Sequence, residues 1–299
     1  MAGAAVVGVS TWVLVASWDA IFSGHPSYPI FYGSSLGIAT ASIYRSTRRS
    51  SVRRLLLSGL ASLALVLLAA ASLWLRPFPA HDTALRALEN PERYEVATTP
   101  TAIMLEPIVT DSRVALIFQP GARVDARAYV SILADIAVAG YPVVIVKQPL
   151  GIAFLALGSI PGVVEEDPEI RWVAAGHSLG GVVASGAANE GVAGLVLWAS
   201  YPAGDISGRS GPEATSIYGT ADAITTVSDI RESEDRLPAQ AELVAVEGAI
   251  HSFFGDYGLQ PGDGTPTIDR SAAQAMIVAA TLDLLERVEN GLDKSTALP

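Results

Sequence analysis

The 299-residue chain contains no cysteine. This absence excludes thiol nucleophiles, disulfide bonds and thiolate metal ligands, and it is compatible with an oxidising compartment. Basic residues are also scarce, since 19 lysines and arginines stand against 30 aspartates and glutamates. A net charge of -11 repels phosphate backbones, so nucleic acid is not expected as a partner. With only four histidines in the chain, few residues are candidates for acid-base chemistry.

Charge of either sign is missing from the apolar run LLLSGLASLALVLLAAASLWL at 55–75. As a helix, this run is long enough to cross a hydrocarbon core of about 30 Å. Five arginines at 45–54 precede it, and the positive-inside rule keeps such a loop in the cytoplasm. A patch that binds nucleic acid or phosphate is the alternative role of these arginines. The sequence therefore predicts an integral cell-membrane protein that contacts the lipid bilayer and whose residues after Arg76 lie on the extracytoplasmic side.

Two weaker candidate spans precede the arginine-rich loop. The segment 2–22 is apolar but contains Asp19, and the segment 28–44 is short and rich in glycine and serine. One, two or three spans are therefore compatible with the sequence. The expected organisation is a membrane anchor at 1–76, a linker at 77–91, a main domain at 92–289 and a polar tail at 290–299.

From residue 92 onward, short apolar runs alternate with helical patterns. Several runs are almost continuously apolar, which is typical of strands buried on both faces of a parallel sheet. Four helices are predicted between and after them, at 127–139, 180–189, 224–233 and 271–289. The pattern predicts an α/β fold in which helices flank a mainly parallel sheet. The predicted strands are 94–98, 102–105, 114–118, 142–147, 172–175, 194–198, 216–218 and 243–246.

The motif Gly-His-Ser-Leu-Gly at 176–180 joins one of these strands to a helical pattern. In a nucleophile elbow, the serine occupies a strained turn and the flanking glycines let strand and helix meet closely. The first free amides of the helix then point toward an anion that forms beside the serine hydroxyl. Ser178 is therefore the candidate nucleophile. A strand-to-helix junction with a buried serine is the non-catalytic alternative.

A serine hydroxyl needs a base to become a nucleophile, usually a histidine. His25 and His81 lie in or beside the predicted membrane segment. Strand alternation predicts that the ring of His177 is turned away from the hydroxyl of Ser178. His251 remains, in a loop after the last predicted strand, and is the candidate base.

An orienting acid is expected between the serine and the histidine in chain order. Asp222 lies a few residues after the predicted strand 216–218 and has this position. Its alternative role is to cap a helix that begins near residue 224. Asp205 is the reserve candidate for the acid.

An oxyanion hole requires two backbone donors near the nucleophile. The amide of Leu179 follows the serine directly. The second donor is expected in the loop 118–123, where Gly121 permits a close approach and Ala122 is the preferred residue, with Arg123 next to it. An ordinary turn is the alternative for this loop.

Two other stretches have more than one interpretation. The apolar loop 149–157 could line an acyl pocket, contact the bilayer or pack in the core. Asp256 and Asp263 lie in a segment rich in glycine and proline, where turn formation is favoured over a cation site. Neither a metal site nor a cofactor is expected.

The segment from 92 to 289 resembles the α/β-hydrolase superfamily, and most closely its fold-5 branch, related to dienelactone hydrolases and chlorophyllases. The resemblance implies an α/β-hydrolase fold with Ser178 as nucleophile, Asp222 as acid and His251 as base. Many members have His-Gly in the oxyanion loop, where this chain has Pro-Gly at 120–121, and dienelactone hydrolases use a cysteine nucleophile. The matching residues are QPGARVD at 119–125 with Tyr129, GYPVVIV at 140–146, GHSLGG at 176–181, YGTAD at 218–222, GAIH at 248–251 and FGDYG at 254–258.

These observations together predict a membrane-anchored serine hydrolase. Its substrate would be a small-molecule carboxylic ester or thioester, cleaved through an acyl-enzyme. An acyl transferase would use the same residues with a different acceptor. A membrane-anchored binding module that keeps the fold without catalysis is the third hypothesis. The sequence does not indicate the length of the acyl group or the oligomeric state.

Overall fold

The computed structural model describes residues 1–46, 52–110, 112–187, 191–208 and 213–296, with side chains described for all of these except 45–46, 52–57 and 292–296. The chain divides into two compact units, Met1–Phe78 and Pro79–Pro299.

The first unit is built from helices. Ser10 and Ser72 lie in its interior, where their hydroxyl oxygens are 3.3 Å apart, and the hydroxyl of Tyr32 donates to the Ser72 carbonyl oxygen over 2.9 Å. Val6, Ala39 and Leu65 form its buried apolar cluster. The helices are α1 (Ala2–Ala16), α2 (Trp18–Ser23), α3 (Ser27–Ser46) and α4 (Val52–Trp74).

The predicted membrane spans at 2–22, 28–44 and 55–75 are not supported. Within the described residues, no helix combines the length and the apolar character that a membrane crossing requires. The segment 2–22 is divided between α1 and α2, because the backbone leaves the helical conformation at Ser17. The basic loop 45–54 and the first three side chains of the run 55–75 lie outside the described side chains.

The second unit contains one eight-stranded sheet in the order β1-β2-β4-β3-β5-β6-β7-β8. The pairings β1 with β2 and β2 with β4 are antiparallel, and all the others are parallel. All eight predicted strands are present, and β3 and β6 are buried at every position. The strands are β1 (Tyr94–Thr98), β2 (Ala102–Pro107), β3 (Val114–Gln119), β4 (Val143–Val146), β5 (Arg171–His177), β6 (Gly194–Trp198), β7 (Glu213–Gly219) and β8 (Glu242–Val246).

Helices flank this sheet, so the unit has the mainly parallel α/β architecture that the sequence predicts. A 3-10 turn at Ala126–Tyr129 precedes α6, and α9 begins with a capping box formed by Thr226 and Asp229. Two helices were not predicted: α5 lies in the stretch interpreted as a linker, and α7 contains a proline and a glycine. The helices are α5 (Asp82–Glu89), α6 (Val130–Val138), α7 (Ser159–Glu166), α8 (Leu179–Gly186), α9 (Val227–Ser233) and α10 (Arg270–Thr296).

The register of the parallel strands places their carboxyl ends at one edge of the sheet. Gln119 at the end of β3 is paired with Gly176 of β5, and Gly176 is paired with Leu197 of β6. Gly219 of β7 is paired with Val246 of β8. The loops after β3, β5, β7 and β8 therefore leave the sheet at the same edge, where sites of open α/β sheets form.

Candidate active site

Ser178 forms the sharp turn between β5 and α8. Its φ of 52° and ψ of -124° lie in a region that side chains rarely adopt. The neighbouring strand holds this turn in place: the Ser178 amide donates to the Trp198 carbonyl oxygen over 2.9 Å, and the hydroxyl of Ser200 donates to the Ser178 carbonyl oxygen over 2.7 Å. The geometry is that of the predicted nucleophile elbow.

The glycines on either side of Ser178 are required by close backbone contacts. A Cβ at Gly176 would lie 2.4 Å from the carbonyl carbon of Gly180. A Cβ at Gly180 would lie 2.0 Å from the carbonyl oxygen of Gln119 and 2.4 Å from that of Pro120. Strand β5, helix α8 and the loop after β3 therefore meet with no room for a side chain.

The loop after β3 contacts the beginning of α8, as the oxyanion-hole prediction requires. Within the described residues, the amides of Leu179 and Ala122 donate no hydrogen bond to a protein acceptor. The Arg123 amide, the alternative donor, is instead engaged with the Gly151 carbonyl oxygen over 2.7 Å. Arg123 has a positive φ of 62°, so the loop is held in an unusual conformation.

Asp222 and His251 lie together at the same edge of the sheet. Oδ2 of Asp222 is 2.8 Å from Nδ1 of His251, and both side chains are fully buried. Oδ1 of Asp222 accepts hydrogen bonds from the amides of Ile224 and Thr225, each over 2.8 Å. Asp222 therefore stabilises a turn with one oxygen and orients the histidine with the other, while α9 is capped by Thr226.

Nε2 of His251 is buried and has no hydrogen-bond partner among the described residues, so no bond joins it to the Ser178 hydroxyl. The loop that carries the ring is held firmly. Asp263 accepts from the amides of His251 and Ser252 over 3.0 and 2.8 Å, and the guanidinium of Arg270 donates to the Ser252 carbonyl oxygen. The base candidate is thus preorganised by its backbone as well as by Asp222.

His177 lies beside the base, a position that sequence reasoning missed. The ring centroids of His177 and His251 are 4.5 Å apart. Nδ1 of His177 is 2.9 Å from the hydroxyl of Tyr129, which also accepts from the Gly121 amide over 2.9 Å. Burial lowers the pKa of His177, a positive charge on His251 lowers it further, and a polar contact with the His251 backbone offsets part of this shift. His177 is therefore neutral at neutral pH.

Of the remaining candidate residues, Asp263 holds the backbone of the base loop, and Asp205 and Asp256 have other partners. Asp205 is exposed, and its carboxylate accepts from the amide and hydroxyl of Ser207. Asp256 pairs with the hydroxyl of Ser131 and the amide of Gln274. The oxygens of Asp263 accept backbone amides, in agreement with the turn interpretation. Phe154, Leu155 and Leu157 of the apolar loop are at least half exposed.

A family model and several solved structures are similar to this chain. A model described as the alpha/beta hydrolase family matches residues 115–275. Among solved structures, a thermophilic esterase of the planctomycete Thermogutta terrifontis, with butyrate bound, is 17% identical, with 64% of this chain and 94% of that chain covered and a TM-score of 0.48. TT1662 of Thermus thermophilus is 14% identical, with 65% and 99% covered and a TM-score of 0.46. No curated protein is a significant match.

Proposed function

The chain belongs to the alpha/beta hydrolase family, whose model spans more than half of its length, and on this premise we propose that it is a serine hydrolase. Its substrate is a small-molecule carboxylic ester or thioester. The nucleophile is Ser178, the base is His251 and the orienting acid is Asp222. The amides of Leu179 and Ala122 form the oxyanion hole.

The hydrogen bond between Asp222 and His251 is the observation that carries this proposal. A surface histidine or a simple turn-capping aspartate would not need a fully buried contact of 2.8 Å. Because Nδ1 faces a carboxylate, this nitrogen holds a proton and Nε2 is the basic atom of the neutral ring. A free basic nitrogen is what a serine nucleophile requires.

In the proposed reaction, Oγ of Ser178 attacks the carbonyl carbon while its proton passes to Nε2 of His251. The carbonyl π electrons move to the oxygen, which the two amides stabilise. Collapse of this intermediate breaks the bond to the leaving group, which takes the proton from His251. Water then attacks the acyl-enzyme by the same steps, and a carboxylic acid leaves.

A fluorophosphonate probe tests the proposal directly, because it reacts covalently with activated serines. The wild-type full-length chain should be labelled, and Ser178→Ala should not. Ser185→Ala is the matched control, since this buried serine lies on the same helix α8 and, among the described residues, its hydroxyl bonds to the Val182 carbonyl oxygen of its own helix. Labelling of all three proteins, or of none, would contradict the proposal, and the latter would favour the non-catalytic binding module.

Product analysis then distinguishes hydrolysis from acyl transfer. With a series of p-nitrophenyl esters of increasing acyl length, a hydrolase releases one equivalent of free acid per p-nitrophenolate. Added alcohol that diverts most of the acyl group into a new ester would instead identify an acyl transferase. The same series measures the preferred acyl length.

We also propose, from the sequence, that residues 1–76 anchor the hydrolase unit at the extracytoplasmic side of a membrane. The uncharged sequence at 55–75 and the five arginines before it favour this placement, although no helix of the described residues meets the requirements of a membrane crossing. Topology reporters fused after residue 50 and after residue 90 should give opposite signals. Reporters on the same side, or a full-length chain recovered without membranes, would contradict the proposal.

A further inference from the structure

A buried row of polar groups runs from the oxyanion loop to the loop of the base. The Gly121 amide donates to Oη of Tyr129 over 2.9 Å, and Oη is 2.9 Å from Nδ1 of His177. The ring of His177 then contacts the ring of His251, with 4.5 Å between the centroids. The side chains of Tyr129, His177 and His251 are all completely buried.

The direction of these hydrogen bonds follows from their chemistry. Because Oη of Tyr129 already accepts a hydrogen bond from the Gly121 amide, we assign its own proton to the bond with Nδ1 of His177. His177 therefore carries its proton on Nε2. Burial raises the pKa of Tyr129 and lowers that of His177, so both side chains stay neutral. A neutral ring beside His251 does not oppose the positive charge that the base acquires during the proposed reaction.

The side chains of Tyr129 and His177 are packed between the loop after β3 and the loop that carries His251. A Cβ at Gly121 would lie 2.7 Å from Nδ1 of His177, and one at Gly255 would lie 3.0 Å from Cε1 of Tyr129. The ring of His177 is also stacked on Phe254, with 5.7 Å between centroids and 7° between planes. Gly255 and Phe254 follow His251 closely in the chain, so both loops are in contact with one rigid pair.

The Gly121 contacts determine where the Ala122 amide points. The carbonyl oxygen of Gly121 accepts from the Val124 amide over 3.1 Å. This carbonyl and the Ala122 amide belong to one planar peptide group and point in opposite directions. With the Gly121 amide held by Tyr129 and its carbonyl held by Val124, the Ala122 amide is fixed and remains free to donate.

We propose that Tyr129 and His177 are positioning residues that hold the Ala122 amide at a fixed position relative to the ring of His251. Neither residue is the nucleophile, the base or an oxyanion donor of the proposed reaction. The inference rests on the proposed hydrolase function, and it adds that the oxyanion hole and the base are aligned by one shared pair of side chains.

The first test is Tyr129→Phe in the full-length chain, with hydrolysis of a p-nitrophenyl ester as the readout. Removing an oxyanion donor lowers kcat by about 10²–10³-fold. Because Tyr129→Phe keeps the Ala122 amide and only makes its position less fixed, it should lower kcat by about 10–100-fold, with KM little changed. Tyr141→Phe is the matched control: the hydroxyl of this buried tyrosine donates to Glu289 over 2.9 Å, and Tyr141 precedes β4 at the opposite edge of the sheet. We expect a similar fall in Tm for both variants but a fall in kcat only for Tyr129→Phe.

Variants of His177 test whether the pair acts as a unit. His177→Asn keeps an acceptor near the position of Nδ1 and should retain most of kcat, whereas His177→Leu removes the acceptor and should lose as much as Tyr129→Phe. If the two residues form one unit, the double variant of Tyr129→Phe and His177→Leu should be no slower than the slower single variant.

Nuclear magnetic resonance gives a readout that does not depend on activity. The ¹⁵N shifts should identify His177 as protonated on Nε2, and Tyr129→Phe should speed the hydrogen exchange of the Gly121 amide. With an active wild type, three results would each overturn the positioning role but leave the proposed function intact. The first is a kcat of Tyr129→Phe equal to that of Tyr141→Phe, and the second is a double variant whose loss of kcat is the product of the two single losses. The third is a proton on Nδ1 of His177. A wild type that reacts with neither ester nor fluorophosphonate would overturn the proposed function and this inference with it.

Discussion

Replacing Asp222 with asparagine should separate the two tasks of this side chain. The amide oxygen of asparagine can still accept from Ile224 and Thr225, as Oδ1 of Asp222 does over 2.8 Å. Its NH₂ group then faces Nδ1 of His251 in place of Oδ2. The ring must present Nδ1 as an acceptor and move its proton to Nε2, which can no longer take a proton from Ser178.

The expected magnitudes follow from these contacts. Holding the base in the wrong tautomer should lower kcat by about 10⁴-fold. Since both turn hydrogen bonds survive and only a charge-assisted bond weakens, the free energy of unfolding should fall by about 1–2 kcal/mol. Asp222→Ala removes all three hydrogen bonds and leaves two amides without an acceptor, so it should cost roughly 2–5 kcal/mol.

Ester hydrolysis and urea unfolding, measured on the same preparations, test this separation. Asp205→Asn is the matched control, because Asp205 is exposed and bonds to Ser207, and its kcat should stay within about twofold of wild type. The reasoning is refuted if Asp222→Asn keeps more than about 1% of the wild-type kcat, or if Asp205→Asn loses as much activity.

Three other predictions concern the packing and charge around the site. Gly180→Ala should abolish most ester hydrolysis, because its Cβ would lie 2.0 Å from the Gln119 carbonyl oxygen, whereas Gly186→Ala on the same helix meets no described atom within 4 Å and should stabilise the fold by up to about 1 kcal/mol in thermal unfolding. Burial depresses the pKa of His177, so below about pH 6.5 the unfolded chain binds a proton that the folded chain does not. As the pH is lowered, the wild-type free energy of unfolding, measured with urea, should then decrease by up to about 1.4 kcal/mol per pH unit. The decrease should be less steep in His177→Asn. Asp263→Ala should lower both kcat and Tm, because its carboxylate holds the amides of the base loop, and added Ca²⁺ should leave the wild-type Tm unchanged.

Each of these has a contrary outcome. Equal activity of the two glycine variants would mean that the contact between α8 and the loop after β3 does not matter for catalysis. Parallel pH dependence of wild type and His177→Asn would mean that His177 is not buried in its neutral form. A Ca²⁺-dependent rise in Tm that disappears in Asp263→Ala would restore the cation-site interpretation.

The sheet could be predicted from the sequence because its signals are local. Continuous apolar runs identify strands such as β3 and β6, which are buried at every position. The helix α7 escaped prediction because Pro161 and Gly162 usually interrupt helices. Pro161 is tolerated because it lies in the first turn, where its missing amide would have had no partner.

The site was harder to predict where it depends on contacts between distant segments. Chain order and strand ends were sufficient to nominate Asp222 and His251, which lie 2.8 Å apart. The place of His177 could not be read in this way, since alternation along β5 gives only the face of the sheet. Its neighbours Tyr129 and Phe254 come from the loops after β3 and β8. A histidine between a strand and a Gly-x-Ser-x-Gly serine, with a tyrosine near the loop after β3, is the signal that could have found the pair.

The backbone at Ser178 has a consequence for the natural history of this chain. A side chain in that conformation costs about 1–3 kcal/mol, and glycine would adopt it freely. Selection for thermal stability alone would therefore favour glycine at this position, and the proposed chemistry supplies a reason for the serine. Relatives that carry glycine at this position should be more stable to heat and catalytically inactive. The branch of the family on which glycine appears would then mark where the activity was lost.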